Sequence, residues 1–261
     1  MDAIGASRAH IGKNFIASIG IRVPIYENLY KDNAFTKYNN DTSISGDSYY
    51  LAGKSLNLDH ATLNSFFTLK PDLYLATQIG YIEERFFGIG NEILYRPNGH
   101  SWAIGADAWA VMKRDPFNPS GIAINDNNKR HSIMLNTHYD FPRQPIAIGL
   151  SAGRFIGGDY GSEINARYKG KSGWMVDGFI RYSNESDQRL DQQKTNIFTG
   201  IALTMPIGQF RTLPDHSRLI TEIKPFGRNK AQRISNQYPL YDLTDPWSTA
   251  NIYQNWNDIT K

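Results

Sequence analysis

Seven residues combine the side-chain types needed to hold a hydroxylated or acidic ligand without reacting with it. Lys113, Arg167, Lys169 and Arg181 are cationic donors, Asn136 and Asn165 both donate and accept, and Trp109 offers a flat ring. Guanidinium and ammonium groups attract carboxylates, amides match hydroxyls, and an indole can stack on a sugar ring. Glu92, Asp107, Glu163 and Asp177 lie at the same strand parity and compete for those cations. The set therefore reads either as weak glycan contacts or as the charge balance of a hydrated wall.

Bond-breaking chemistry has less support. Gly88-Ile89-Gly90 lacks the third glycine and the following helix of a dinucleotide loop. Asp126 sits among Asn125, Asn127 and Asn128, too few carboxylates for a calcium loop. Glu83 and Glu84 are adjacent, so on one strand they point apart rather than converge as a glycosidase pair. His138 shares the inner parity with Asn136 and Asp140, and Ser151 is on the neighbouring strand, whereas an outer-membrane lipase needs its Ser and His facing lipid. The expectation is a protein without catalytic residues, metal or cofactor.

What must position these residues is a succession of two-residue alternations. Ile146, Ile148, Leu150 and Ala152 interleave with Ala147, Gly149, Ser151 and Gly153. Trp174, Val176, Gly178, Ile180 and Tyr182 interleave with Met175, Asp177, Phe179 and Arg181. Successive side chains of a strand face opposite ways, so each segment has one apolar and one polar or small face. Strands are expected near 12–25, 59–70, 73–83, 86–96, 102–114, 131–141, 146–155, 162–169, 173–183, 195–207 and 217–225, with a weak one near 230–240. Residues 49–53 leave a further strand open. Short turns such as Lys70-Pro71-Asp72 and Pro97-Asn98-Gly99-His100 alternate with longer polar loops.

About 10–12 strands with two differently solvated faces describe an all-β, antiparallel transmembrane β-barrel, apolar outside and polar inside. Ile148, Leu150, Ile164, Ala166, Val176, Ile180, Ile201 and Leu203 are expected to point outward. On that reading Arg167→Ile is tolerated better than Ile164→Arg. Tyr95, Trp102, Tyr139, Phe141, Tyr168 and Trp174 gather beside the short turns, as an interfacial belt does. Glycines inside the strand patterns (Gly88, Gly90, Gly105, Gly149, Gly153, Gly200) permit bends or close approach in a barrel wall.

Composition agrees. The mean hydropathy is -0.48, and no apolar run approaches the roughly 18 residues of a membrane helix, yet a barrel wall shows lipid only every second residue. Aromatics reach 13%, enough for two girdles. The net charge of +3 is spread along the chain, with no concentrated patch for nucleic acid. There is no cysteine, which removes disulfides and thiolate chemistry. Residues 1–8 lack the basic and apolar regions of a secretory signal, so the sequence reads as a fragment of a longer exported precursor.

The stretch Phe87-Gly88-Ile89-Gly90-Asn91-Glu92-Ile93-Leu94-Tyr95-Arg96-Pro97, followed by Trp102-Ala103-Ile104-Gly105-Ala106-Asp107 and Lys113-Arg114-Asp115, resembles the YjbH family of exopolysaccharide-associated outer-membrane proteins. Lys70-Pro71-Asp72-Leu73-Tyr74, the segment from Leu150 to Gly161, Arg233, and Tyr238-Pro239-Leu240-Tyr241-Asp242-Leu243 extend the likeness. It covers about positions 10 to 243 in order. The resemblance implies the C-terminal barrel of a longer lipoprotein acting in polysaccharide production or export, with no catalytic residues to carry over.

The reading is thus an all-β chain with a barrel over 10–241 and a C-terminal tail over 242–261. Its function is non-enzymatic, in exopolysaccharide production or export at the outer membrane. Lipid, extracellular polysaccharide and other secretion proteins are the expected partners. The alternatives are a soluble carbohydrate-binding β-sandwich and a barrel enzyme acting on lipid or glycan.

Overall fold

The computed structural model describes residues 2–24, 57–83, 85–113, 129–170, 173–188, 194–206, 218–223, 230–234 and 236–254. Twelve strands form one antiparallel sheet in sequence order. They are β1 (Asp2–His10), β2 (Phe15–Pro24), β3 (Asn57–Lys70), β4 (Leu73–Glu83), β5 (Phe86–Tyr95), β6 (Trp102–Lys113), β7 (Lys129–Asp140), β8 (Ile146–Arg154), β9 (Tyr160–Lys169), β10 (Met175–Gln188), β11 (Lys194–Pro206) and β12 (Arg218–Ile223). Two short helices, α1 (Leu240–Leu243) and α2 (Thr249–Gln254), flank a 3-10 turn at Asp245–Trp247.

Eleven of these strands coincide with the expected segments to within a few residues. β1 was not foreseen, because Gly5, Ala6, Ser7 and Ala9 give no apolar contrast between faces. The weak strand expected near 230–240 does not form. Its described residues run irregularly across the sheet, and their polar groups bond to side chains of the wall instead of to a neighbouring strand. The possible strand at 49–53 and Asp126 lie outside the described residues, as does Glu84.

A single parity runs through the whole ladder. Leu150 pairs with Ile164, Ile164 with Ile180, and Gly178 with Ile201, so these residues share one face. Ile148, Leu150, Ile164, Ala166, Ile180 and Ile201 are exposed there, and Val176 and Leu203 are half-buried. All eight lie on the more exposed face of the sheet. On the opposite face Asn64, Gln78, Asn136, Ser151 and Glu163 are buried beside Leu94, Trp109 and Met134.

What buries that second face is the chain's own C-terminal segment. Ala231 clusters with Phe198 of β11, while Tyr238 lies beneath the Arg8 guanidinium of β1. Ten strand spacings in a flat sheet cover roughly 48 Å. The seven steps from 231 to 238 span at most about 25 Å. The sheet must therefore curl around the segment. Closure into a barrel was the expectation; the ladder as described runs from β1 to β12, and no pairing joins those two strands among the described residues.

Ile234, then Leu240 with Tyr241, enter two apolar clusters against the wall. Fully burying a Leu or Ile side chain is worth about 1.5–3 kcal/mol, so Ile234, Leu240 and Tyr241 pack as part of the fold. No helix among the described residues is long and apolar enough to cross a membrane.

Candidate functional site

Register places Lys113, Trp109, Asn136, Asn165, Arg167, Lys169 and Arg181 together on the concave face. They do not line an empty space. Arg167 pairs with Asp177 at 2.5 Å on the adjacent strand and with Asp242 of α1. Lys169 reaches Asp245 at 2.8 Å, and Arg181 pairs with Glu163 and donates to the Ala231 carbonyl at 2.9 Å. Asn136 donates to Asp107 at 2.7 Å, and Trp109 Nε1 donates to the other oxygen of that carboxylate at 2.9 Å. Lys113 is buried at the end of β6. Asn165 lies against Gly149, where any Cβ would strike its amide.

Two clusters tie the segment to the wall. In the first, Arg233 spreads its guanidinium over four strands. It donates to Glu163 at 2.9 Å, Ser151 and Asn136 at 3.2 Å, and Asp107 at 3.3 Å. The planar five-donor fork makes this possible, where an ammonium could not spread as widely. In the second, Arg96 is sequestered with Asp140 at 2.7 Å and donates to the Tyr241 carbonyl at 2.9 Å and Thr244 Oγ1 at 3.1 Å. The Tyr241 hydroxyl donates to Asp140 at 2.6 Å, and its ring stacks on His138 with centroids 3.9 Å apart. Burial, reinforced by the Asp140 carboxylate, pushes the Tyr241 phenol well above its usual value, so it stays a donor.

Glu92 of β5 supplies a third tether. Its two oxygens accept from Leu240 N at 3.0 Å and Asn236 Nδ2 at 2.6 Å. The first of these satisfies an N–H at the start of α1 that has no partner within the helix. His138 and Ser151 do not form a hydrolytic pair: one stacks on Tyr241 and the other accepts from Arg233. The sequence reading missed Arg233 as the hub, although its likeness to the family end was noted. No periodic pattern surrounds it.

Glycine makes room for these contacts. A Cβ at Gly90 would strike the Trp109 six-membered ring. Gly90→Val should displace the indole from Asp107 and cost about 1–3 kcal/mol of overpacking. The check is tryptophan emission, expected to shift to the red against the parent; unchanged emission would show that the indole does not occupy this position.

The family described as "Exopolysaccharide biosynthesis protein YbjH" matches residues 2–246. The chain belongs to the YjbH family. One relative, the "uncharacterized lipoprotein YjbH" of Escherichia coli (strain K12), is 28% identical over 184 residues. That alignment covers 69% of this chain and 26% of the relative, so the chain corresponds to a fraction of the relative's length. The YjbH match takes in Arg233, Tyr241, Asp242 and Asp245 together with the strands they contact. The strands and the segment as far as residue 246 thus fall within one family match.

Proposed function

We propose that this YjbH chain is an outer-membrane β-barrel serving exopolysaccharide production and export, its lumen filled by residues 230–254. The observation that carries the reading is the outward face. Phe87 and Tyr95 on β5, Tyr160 and Tyr168 on β9, and Trp174 just before β10 with Tyr182 on it are aromatic pairs eight residues apart. Eight residues span about 27 Å along a strand, or roughly 21 Å at a 40° tilt, close to the ~25 Å apolar band of such barrels. Between these rows, no described outward side chain is Asp, Glu, Lys or Arg. A polar pair that does face out there is bonded to itself, Thr77 Oγ1 donating to Asn91 Oδ1 at 2.8 Å.

A soluble sandwich would bury this apolar face against a second sheet; here Leu135, Ile164 and Ile180 are more than half exposed. The lipoprotein name of the relative supports a cell-envelope location. In this role the lumen set contacts hydroxylated or acidic glycan without bond-making, alongside other secretion proteins. Those contacts need the segment to shift, because it already holds Arg167, Lys169 and Arg181. Two measurements test the reading. In planar bilayers the intact chain should conduct little, and deletion of 230–254 should open a steady pore; equal conductance would remove the plug. Arg167→Gln with Arg181→Gln in a full-length relative should lower secreted polysaccharide at matched abundance; unchanged secretion would leave these bases as wall pairs.

A further inference from the structure

At the opposite end of the sheet, β2 and β3 bring together three residues that the lumen networks do not use. Ser18 Oγ lies 2.9 Å from His60 Nε2, and His60 Nδ1 lies 2.9 Å from Asp59 Oδ2. A carboxylate only accepts, so Nδ1 carries the proton and donates to Asp59. When the ring carries only that proton, Nε2 is the acceptor and the Ser18 hydroxyl donates to it. This is the protonation state in which the imidazole can take the serine proton.

Consecutive strand residues ordinarily point apart, yet Asp59 and His60 converge. The ladder explains how: Gly20 pairs with His60 and Ile21 with Leu58, which leaves Asp59 as the extra residue of a bulge. Bulges re-aim side chains in this way. Gly20 is required beneath the ring, since a Cβ there would strike His60. Arg22 fixes the carboxylate from its other oxygen, with Nε at 3.0 Å and Nη2 at 2.6 Å from Asp59 Oδ1. On the far side of Ser18, its register partner on β1 is Arg8, exposed and on the concave face.

We propose that Ser18, His60 and Asp59 form a hydrolytic site for short acyl esters. Ser18 Oγ attacks the ester carbonyl carbon as His60 Nε2 takes its proton. Arg8, the register partner of Ser18 on β1, is the cation that meets the oxyanion once its guanidinium leaves the Tyr238 ring. Collapse breaks the carbon–alkoxy bond, and His60 returns the proton to the departing alcohol. Water then attacks the acyl-serine ester with His60 again as base, releasing the carboxylic acid and restoring Ser18. Asp59 and Arg22 position the imidazole and do not touch substrate. The export role needs no such reaction, so the two readings stand or fall separately.

The test uses the chain folded in detergent micelles, checked by heat-modifiable gel mobility. A fluorophosphonate probe should label Ser18, located by peptide mass mapping, and p-nitrophenyl acetate should be hydrolysed. Ser18→Ala should abolish both, and His60→Gln should slow hydrolysis by at least ~100-fold. Arg8→Gln should lower kcat by about 100-fold, as loss of an oxyanion donor does. If Ser18→Ala does not fold, Ser18→Cys replaces it: in this cysteine-free sequence its alkylation by iodoacetamide should be fast and should slow with His60→Gln. No adduct on folded protein, labelling that survives Ser18→Ala, or alkylation indifferent to His60 overturns the proposal.

Discussion

Ile164→Arg is expected to lower stability in a lipid bilayer by about 2–4 kcal/mol, and Tyr160→Arg on the same strand by about 0–1 kcal/mol. Ile164 stands four residues from each of Tyr160 and Tyr168, midway between the aromatic rows, and is 56% exposed. Arg at that depth faces hydrocarbon, whereas Arg at the Tyr160 level reaches headgroups and water. Both positions share the outward parity of β9, and Tyr160 is exposed as well. In water, exposure would make either substitution close to neutral. The depth dependence is therefore the signature of lipid. Urea unfolding of the chain refolded into vesicles reads it directly, and equal costs at the two positions would sink the membrane reading.

The wall was legible in the sequence because its signal is local. A two-residue period states both the element and the face, and each of the eight outward positions follows from its immediate neighbours. Turn chemistry fixed the hairpins in the same way: Gly99 adopts a φ of 78° in the turn between β5 and β6, open to glycine at little cost. The contents of the wall were not legible. Residues 230–239 carry no period, and the partners of Arg233 are distant in sequence, at Asp107, Asn136, Ser151 and Glu163. Arg167 shows the consequence. It looked like a residue whose replacement the polar face would tolerate, but it pairs with Asp242 of the C-terminal segment as well as with Asp177. Arg167→Ile strands two carboxylates and is no longer a neutral control. The Ser18–His60–Asp59 cluster was hidden differently. Its members occupy strands separated by residues 25–56, and only the bulge at Asp59 brings the carboxylate onto the imidazole's side.

Arg233→Met should destabilise the folded chain by about 3 kcal/mol, the low end of the cost of breaking a buried ion pair. The low end applies for two physical reasons. The Arg233 side chain is 23% exposed, so water screens part of its field. Its acidic partners also keep other donors: Glu163 retains Arg181, and Asp107 retains Trp109 and Asn136. What remains is the loss of charge-assisted bonds to Glu163 and Asp107, each carboxylate being largely withdrawn from water. The same substitution made in an Asp107→Asn, Glu163→Gln background leaves no uncompensated charge. There it should cost less than half as much, with a coupling energy of about 1–3 kcal/mol. Thermal unfolding of the four proteins, followed by heat-modifiable mobility, closes the cycle. Equal costs in both backgrounds would mean that Arg233 is not the anchor of the C-terminal segment, which the other tethers and the packing of Ile234, Leu240 and Tyr241 would then hold.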